Sequence, residues 1–476
     1  MNKSIKTFIK TSGVFFAGNA LSKAIIILLL PLYTNYISTE SFGYYDLSIA
    51  YITIFASVLY FDIWSTVLRF MYDTNEVQQK KQIVTTCWTI FILSSIVFII
   101  LGSALCSLYS IKYSIFIIGY GLSVNLHNMS GFVARGWKKN IQFAISGIIN
   151  TLLMVAGNLI MILVLHMEIE SLYFASILGN IAQVIYLSYK CDVLPTIKFF
   201  NFNKKLFITI FTYTLPLCIN SVAYWLLTSY NRLVIQSEIG LSANGIYAIG
   251  NKFGAAIALV TTCFTYAWQD LSFTHESNNN KNSQFYSNAC GYYFVFLAIG
   301  FSLIIPCFSI AFPYLIGNSY SEAYQTIPIF LIMAILSAFS TFVGNIFYAI
   351  KDTKSIFISM VISCICNLLL CRIMITYLGI NGANLSICIS FLLNIIIRYI
   401  ILQKKIGVKI KVWHYALPSC LMSIAVCLYN LQDVVINTIY IMVLIILFIV
   451  LFFTYRNNKF RNIDSLIGLK EGKNAK

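Results

Sequence analysis

Six cations fall inside long apolar stretches of the chain: Lys23, Arg69, Arg232, Lys252, Arg372 and Arg398. An ionisable group is costly within a membrane and by default faces a cavity or a partner, so each is a functional hypothesis. The one deep acid is Asp62, since Asp46 and Asp270 lie near the ends of their stretches. An excess of buried positive charge points to an anionic cargo. Phosphate or pyrophosphate suits it best, with lysine acting as a compact point charge. Lys23 and Lys252 sit near the middle of their stretches, where a side chain cannot easily reach a headgroup. Arg69, Arg232, Arg372 and Arg398 sit near ends and can snorkel instead. Arg69 can also pair with Asp73 one turn on.

Neutral polar groups accompany these cations. Ser12, Asn19 and Lys23 share one helical face, and Asn220, Tyr224, Thr228 and Asn231 recur at i, i+4, i+8 and i+11. Such a stripe either lines a cavity or glues helices by interhelical hydrogen bonds, and spacing does not choose between them. His127, beside Asn125 and Asn128, can titrate near neutral pH. With Asp62 it is a candidate for binding a driving proton, although a lone membrane histidine is more often a packing residue. There is no P-loop, dinucleotide glycine pattern, His-Glu-x-x-His or nucleophile–base pair. No catalytic residue and no cofactor are therefore expected. Most of the thirteen cysteines fall in apolar stretches, where a thiol behaves as a small hydrophobe. Cys364 and Cys366 point to different helical faces, so neither a disulfide nor a metal site is indicated.

The elements that must hold these groups follow from composition. Of 476 residues, 59% are hydrophobic and 10% charged, with a mean hydropathy of +0.81. A soluble domain carries roughly 25% charged residues. A soluble enzyme, a nucleic-acid binder and a disordered scaffold are excluded, leaving an all-α polytopic membrane protein. With about 20 apolar residues per span, fourteen spans are predicted: 11–37, 42–71, 83–109, 114–135, 141–166, 171–189, 207–235, 243–269, 286–316, 323–350, 355–378, 382–403, 414–431 and 434–455. Loop lysines and arginines fall almost entirely on one side, and the opposite loops hold only Lys112. By the positive-inside rule both termini are cytoplasmic. The net charge of +16 is mostly this bias, with anionic inner-leaflet lipid as counter-charge. The short outward loops leave no room for the external domain that a membrane polymerase or ligase needs.

The chain also repeats weakly. Gly43-Tyr44-Tyr45-Asp46-Leu47 matches Gly245-Ile246-Tyr247-Ala248-Ile249 at an offset of 202, and Glu168–Leu172 matches Gly379–Ala383 at an offset of 211. Two parallel six-helix lobes are predicted, 1–190 and 207–405, with a linker at 191–206, two additional helices in 406–456 and a basic tail at 457–476. Transporters of this build place substrate between halves.

Leu30-Pro31-Leu32-Tyr33-Thr34 followed by Ser38-Thr39-Glu40-Ser41-Phe42-Gly43-Tyr44-Tyr45 resembles the opening of Wzx-type polysaccharide flippases. Arg69-Phe70-Met71-Tyr72, Tyr213-Thr214-Leu215-Pro216, Gly245 through Lys252 and Leu378 through Ala383 fit as well. These flippases belong to the multidrug/oligosaccharidyl-lipid/polysaccharide exporter (MOP) superfamily. The resemblance implies alternating access and export of undecaprenyl-pyrophosphate-linked oligosaccharide across a bacterial inner membrane. Related lipid II flippases use cationic cavity residues on helices that here contribute Lys23, Arg69 and Lys252. Family members often carry Asp-Arg at the end of span 7. Asn231-Arg232 stands here instead, which argues against an ion pair for Arg232. Expected partners are the lipid-linked oligosaccharide and membrane lipids, with a polysaccharide polymerase and glycosyltransferases as candidate protein partners and no nucleic acid. The alternative, a multidrug antiporter of the same superfamily, calls for acidic cavity residues, and only Asp62 qualifies.

Overall fold

A computed structural model describes residues 28–191, 193, 204–277, 283–350, 352–409 and 412–457. The described residues form helices, turns and loops without a strand. In chain order the helices are α1 (Leu30–Tyr36), α2 (Thr39–Leu59), α3 (Ile63–Tyr72), α4 (Val77–Leu108), α5 (Ser114–Gly136), α6 (Asn140–Leu163), α7 (Ile169–Cys191), α8 (Lys204–Thr228) and α9 (Tyr230–Glu238). They continue with α10 (Leu241–Ser277), α11 (Ser283–Leu315), α12 (Ala323–Ala349), α13 (Thr353–Leu378), α14 (Ile380–Ile406), α15 (Trp413–Asn430) and α16 (Val434–Asn457). Eight of these are long and apolar enough to cross a membrane: α2, α4, α6, α7, α11, α12, α13 and α14. From α4 to α7 and from α11 to α16 the helices coincide with the predicted spans to within a few residues. The greater part of the span predicted at 11–37 lies outside the described residues.

Two predicted spans are broken. The stretch 42–71 divides into α2 and α3 because Phe61 and Asp62 are left-handed, with φ of 53° and 52°. Tyr60 anchors the break: its buried ring lies 5.1 Å from Phe91, and its hydroxyl meets Ser95 Oγ at 3.0 Å. The stretch 207–235 divides into α8 and α9 at Ser229. Carbonyls at the end of α8 lose their intrahelical donors, as at any helix C-terminus. Asn367 Nδ2 reaches those of Leu226 and Leu227 at 3.3 and 3.2 Å.

By its contacts the chain divides into two units. The first comprises Met1–Lys252, Ile316–Ser321 and Cys364–Ile387. Its core is a cluster around Tyr60, Val67, Met71, Trp88, Phe91 and Met129. The second comprises Phe253–Leu315, Glu322–Ser363 and Cys388–Lys476. It is held by stacked rings: Phe342 lies 4.1 Å from Tyr293 and 4.3 Å from Trp268. Such pairs add about 0.5–1.5 kcal/mol each beyond the area they bury. Within that unit Arg398, 5% exposed, donates to Ser359 Oγ at 3.0 Å and to Ser340 O at 2.6 Å. Asn394 donates to Ser359 O and Ser363 Oγ beside it, so one polar knot ties α12, α13 and α14.

Candidate functional site

Within the first unit, three elements converge on one ion pair. Arg232 Nε on α9 donates to Asp46 Oδ2 on α2 at 2.5 Å, and each side chain is only 12% exposed. The guanidinium lies 5.5 Å from the centre of the Tyr247 ring on α10, a cation–π distance. Its Nη1 reaches back to Thr228 O at 3.4 Å. Lys252, five residues beyond Tyr247, is half-buried and within electrostatic reach of both Asp46 and Arg232. It makes no hydrogen bond or ion pair with the described residues. One acid and two cations leave this group with net positive charge in a setting where charge is poorly screened. Such a group can hold an anion: among the described residues nothing takes up the donors of Lys252, and Arg232 is already oriented by its partner.

The Asn-Arg sequence at the head of α9 therefore does not deprive Arg232 of an ion pair, because the acid comes from another helix. Asn231 faces the other way and is fully buried. Its Nδ2 donates to Ala383 O and, at 3.2 Å, to Ser386 Oγ, while its Oδ1 accepts from Asn367 Nδ2 at 3.0 Å. This member of the polar stripe glues helices. Thr228 donates to Tyr224 O within its own helix, and Tyr224 is half exposed.

The other candidates are spread out. Arg69 pairs with Asp73 one turn on, both more than half exposed. Arg372 is 75% exposed and pairs with Glu238 at 2.8 Å. Asp62 sits at the break before α3 and accepts from Ser65 Oγ at 2.9 Å. His127 Nδ1 accepts from Asn150 Nδ2 at 3.5 Å, and Asn150 continues to Asn180 at 2.9 Å and Asn180 to Ser123 at 3.1 Å. Lys23 and Asn19 lie outside the described residues, as does the side chain of Asn220. Among the described residues no group of His, Cys, Asp and Glu is arranged to hold a metal ion. Asp46 and Tyr247 were missed as site residues. The signal for Asp46 was present, since an acid in an apolar stretch needs a partner.

Beside the ion pair, the repeat-related glycines meet. A Cβ on Gly43 would collide with Leu241 O, and one on Gly245 would collide with Thr39 O. Asn244 Nδ2 donates to Gly43 O at 2.8 Å, and the Thr39 and Ser242 hydroxyls bond at 2.5 Å. The starts of α2 and α10 thus touch backbone to backbone, a seam only glycine permits.

A family model described as polysaccharide biosynthesis protein matches residues 8–268, more than half of the chain. No curated protein matches. Among solved structures, the lipid II flippase MurJ in an inward closed conformation gives a TM-score of 0.71 at 14% identity, over 91% of this chain and 98% of that one. An inward-facing multidrug resistance MATE family transporter of the MOP superfamily gives 0.64 at 13% identity, over 86% and 96%. A MOP superfamily transporter from Pyrococcus furiosus gives 0.56 at 13% identity, over 87% and 95%. At such identities the likeness is one of fold, while the family match rests on the sequence itself. The chain is a multi-pass membrane protein with the MOP transporter fold, and it belongs to the polysaccharide biosynthesis protein family.

Proposed function

We propose that the chain is a flippase. It carries undecaprenyl-pyrophosphate-linked oligosaccharide repeat units, of O-antigen, capsule or a similar surface polymer, from the cytoplasmic to the periplasmic leaflet of a bacterial inner membrane. The observation that carries this reading is the net positive group of Asp46, Arg232 and Lys252 in a chain of the polysaccharide biosynthesis family. Lys252 meets the pyrophosphate as a point charge, and Arg232 meets it with the donors that Asp46 leaves free. Lys23, Arg69 and Arg372 are further candidates for contact with the anionic cargo. The lobes 1–190 and 207–405 alternate access, and both termini are cytoplasmic. An inside-negative potential favours outward movement of a diphosphate by roughly 2.3 kcal/mol per charge per 100 mV. Asp62 or His127 is the group that would take a driving proton. A polysaccharide polymerase and glycosyltransferases work on either side of the transfer.

The test is lipid extraction after deletion of the gene in its native host. Mass spectrometry then measures oligosaccharide-diphosphate-polyprenol, and labelling from the periplasm reports its sidedness. The expected result is accumulation on the cytoplasmic side with loss of surface polysaccharide. An unchanged lipid pool together with drug hypersensitivity would reject the flippase and favour an antiporter.

A further inference from the structure

Where α4 begins, α5 ends and α6 begins, the chain carries Lys80, Lys81, Arg135, Lys138 and Lys139. Lys80 Nζ donates to Gly136 O at 3.4 Å and lies 5.9 Å from the centre of the Trp137 ring, so the start of α4 meets the end of α5. That bond takes one of the three donors of an ammonium group. Lys80 is nevertheless only 7% exposed, and Lys138 lies within electrostatic reach of it. Lys138 is left-handed, with φ of 60°, so a cation stands where the backbone alone would favour glycine. The indole Nε1 of Trp137 is buried and has no acceptor among the described residues. Arg135 lies over the rings of Phe132 and Phe143, at 5.1 and 5.8 Å. No described acid forms an ion pair with any of the five cations; Asp73, the acid at the end of α3, is taken by Arg69.

Two neighbouring ammonium groups repel each other, and the covered one is poorly hydrated as well. An anion between them removes both penalties and gives the buried indole N–H an acceptor. The surface of α6 decides which anion. Ile141, Ile145, Leu152 and Leu159 recur on one face of that helix and all are exposed, so an apolar stripe runs from this corner along the span. A free phosphate ion makes no use of the stripe. A phospholipid lays an acyl chain along it and brings its phosphate to the cations. Tryptophan and basic residues at the end of a span stand at headgroup depth, and basic pockets between helices on the cytoplasmic side take anionic headgroups. On the proposed orientation this end is cytoplasmic.

We propose that the start of α4 and the α5–α6 connection form a binding site for the phosphate of an anionic inner-leaflet phospholipid, held by Lys80, Lys138 and the Trp137 indole N–H. The site is separate from the Asp46–Arg232 group and does not depend on what the cargo is.

The test uses the purified full chain in phosphatidylcholine nanodiscs. Photoreactive phosphatidylglycerol, with the reactive group in its acyl chain, is compared with equally tagged phosphatidylcholine, and labelled peptides are mapped by mass spectrometry. Labelling of α6 is expected to favour phosphatidylglycerol at least fivefold over phosphatidylcholine. Lys138→Gln, at an exposed position whose loss leaves the fold intact, should abolish most of that preference. Lys190→Gln removes an exposed lysine that lies over its neighbour Tyr189 at the same end of the molecule, and it should leave the preference unchanged. Excess inorganic phosphate should not compete. Equal loss in the two variants would overturn the site in favour of diffuse surface charge, and equal labelling by both lipids in the unaltered chain would overturn it outright. Displacement by inorganic phosphate would replace the lipid with a free ion. Displacement by an equimolar polyprenyl phosphate would reassign the corner to the cargo. None of these failures touches the flippase reading, which is tested by the lipid pool of the deletion strain.

Discussion

Removing one member of the Asp46–Arg232 pair leaves a poorly hydrated charge without its partner, at a cost of about 3–5 kcal/mol. Asp46→Asn is therefore expected to lower the melting temperature of the detergent-solubilised protein by several degrees. Asp46→Asn combined with Arg232→Gln should regain most of that loss, because no charge is left unpaired. The double variant should still fail to export polysaccharide, since the positive charge at Arg232 is what meets the cargo; normal export would reduce the pair to a structural role. Among the described residues Lys252 has no pair to break, so Lys252→Met should keep the melting temperature and lose export, and Lys252→Arg should keep part of it. The cations were legible because a charge in an apolar stretch stands out. Their pairing was not, because Asp46 and Arg232 are 186 residues apart and helical spacing says nothing about contacts across the fold.

At the scale of elements, apolar length was enough to locate most helices, since about 20 residues of hydrophobic chain in a membrane leave the backbone no other way to pair its polar groups. The break at Tyr60–Asp62 escaped because no glycine or proline marks it; an aromatic anchor and two left-handed residues make it instead. One short connection carries a pH-dependent tie. Asp352 accepts from the Ser355 amide at 3.3 Å, capping α13, and pairs with Lys405 in the last turn of α14 at 2.5 Å. Partial burial works to raise its carboxyl, but the Lys405 and Ser355 contacts outweigh it and hold the group below its ordinary range. A carboxyl depressed on folding contributes stability above its unfolded value and loses it as pH falls through the folded one. Acid should therefore loosen this corner of the wild type and change Asp352→Asn less, as read by thermal stability between neutrality and pH ~3. The seam of α2 and α10 has its own test. Thr39→Cys with Ser242→Cys should cross-link under oxidation and halt export until a reductant is added.

For the whole molecule, the bias of cations toward one set of loops predicts which ends face outward. A cysteine at Ser110 should react with a membrane-impermeant maleimide in intact cells, and one at Lys354 only after the cells are broken; the reverse pattern would invert the topology. Fold class was legible in composition and loop lengths, and the internal repeat pointed to Gly43 and Gly245 as equivalent positions. That the two touch was beyond its reach, because an offset in sequence relates positions without stating a distance. Their contact bears on inheritance. Every single-base change that replaces a glycine codon introduces a residue with a Cβ, so codons 43 and 245 admit no missense mutation that leaves both backbones where they are. Random mutagenesis selected for export of a different sugar should return changes along the cargo path and none at these two codons. The pair would then serve as a genetic fixed point, separating alleles that alter what is carried from alleles that stop carriage altogether.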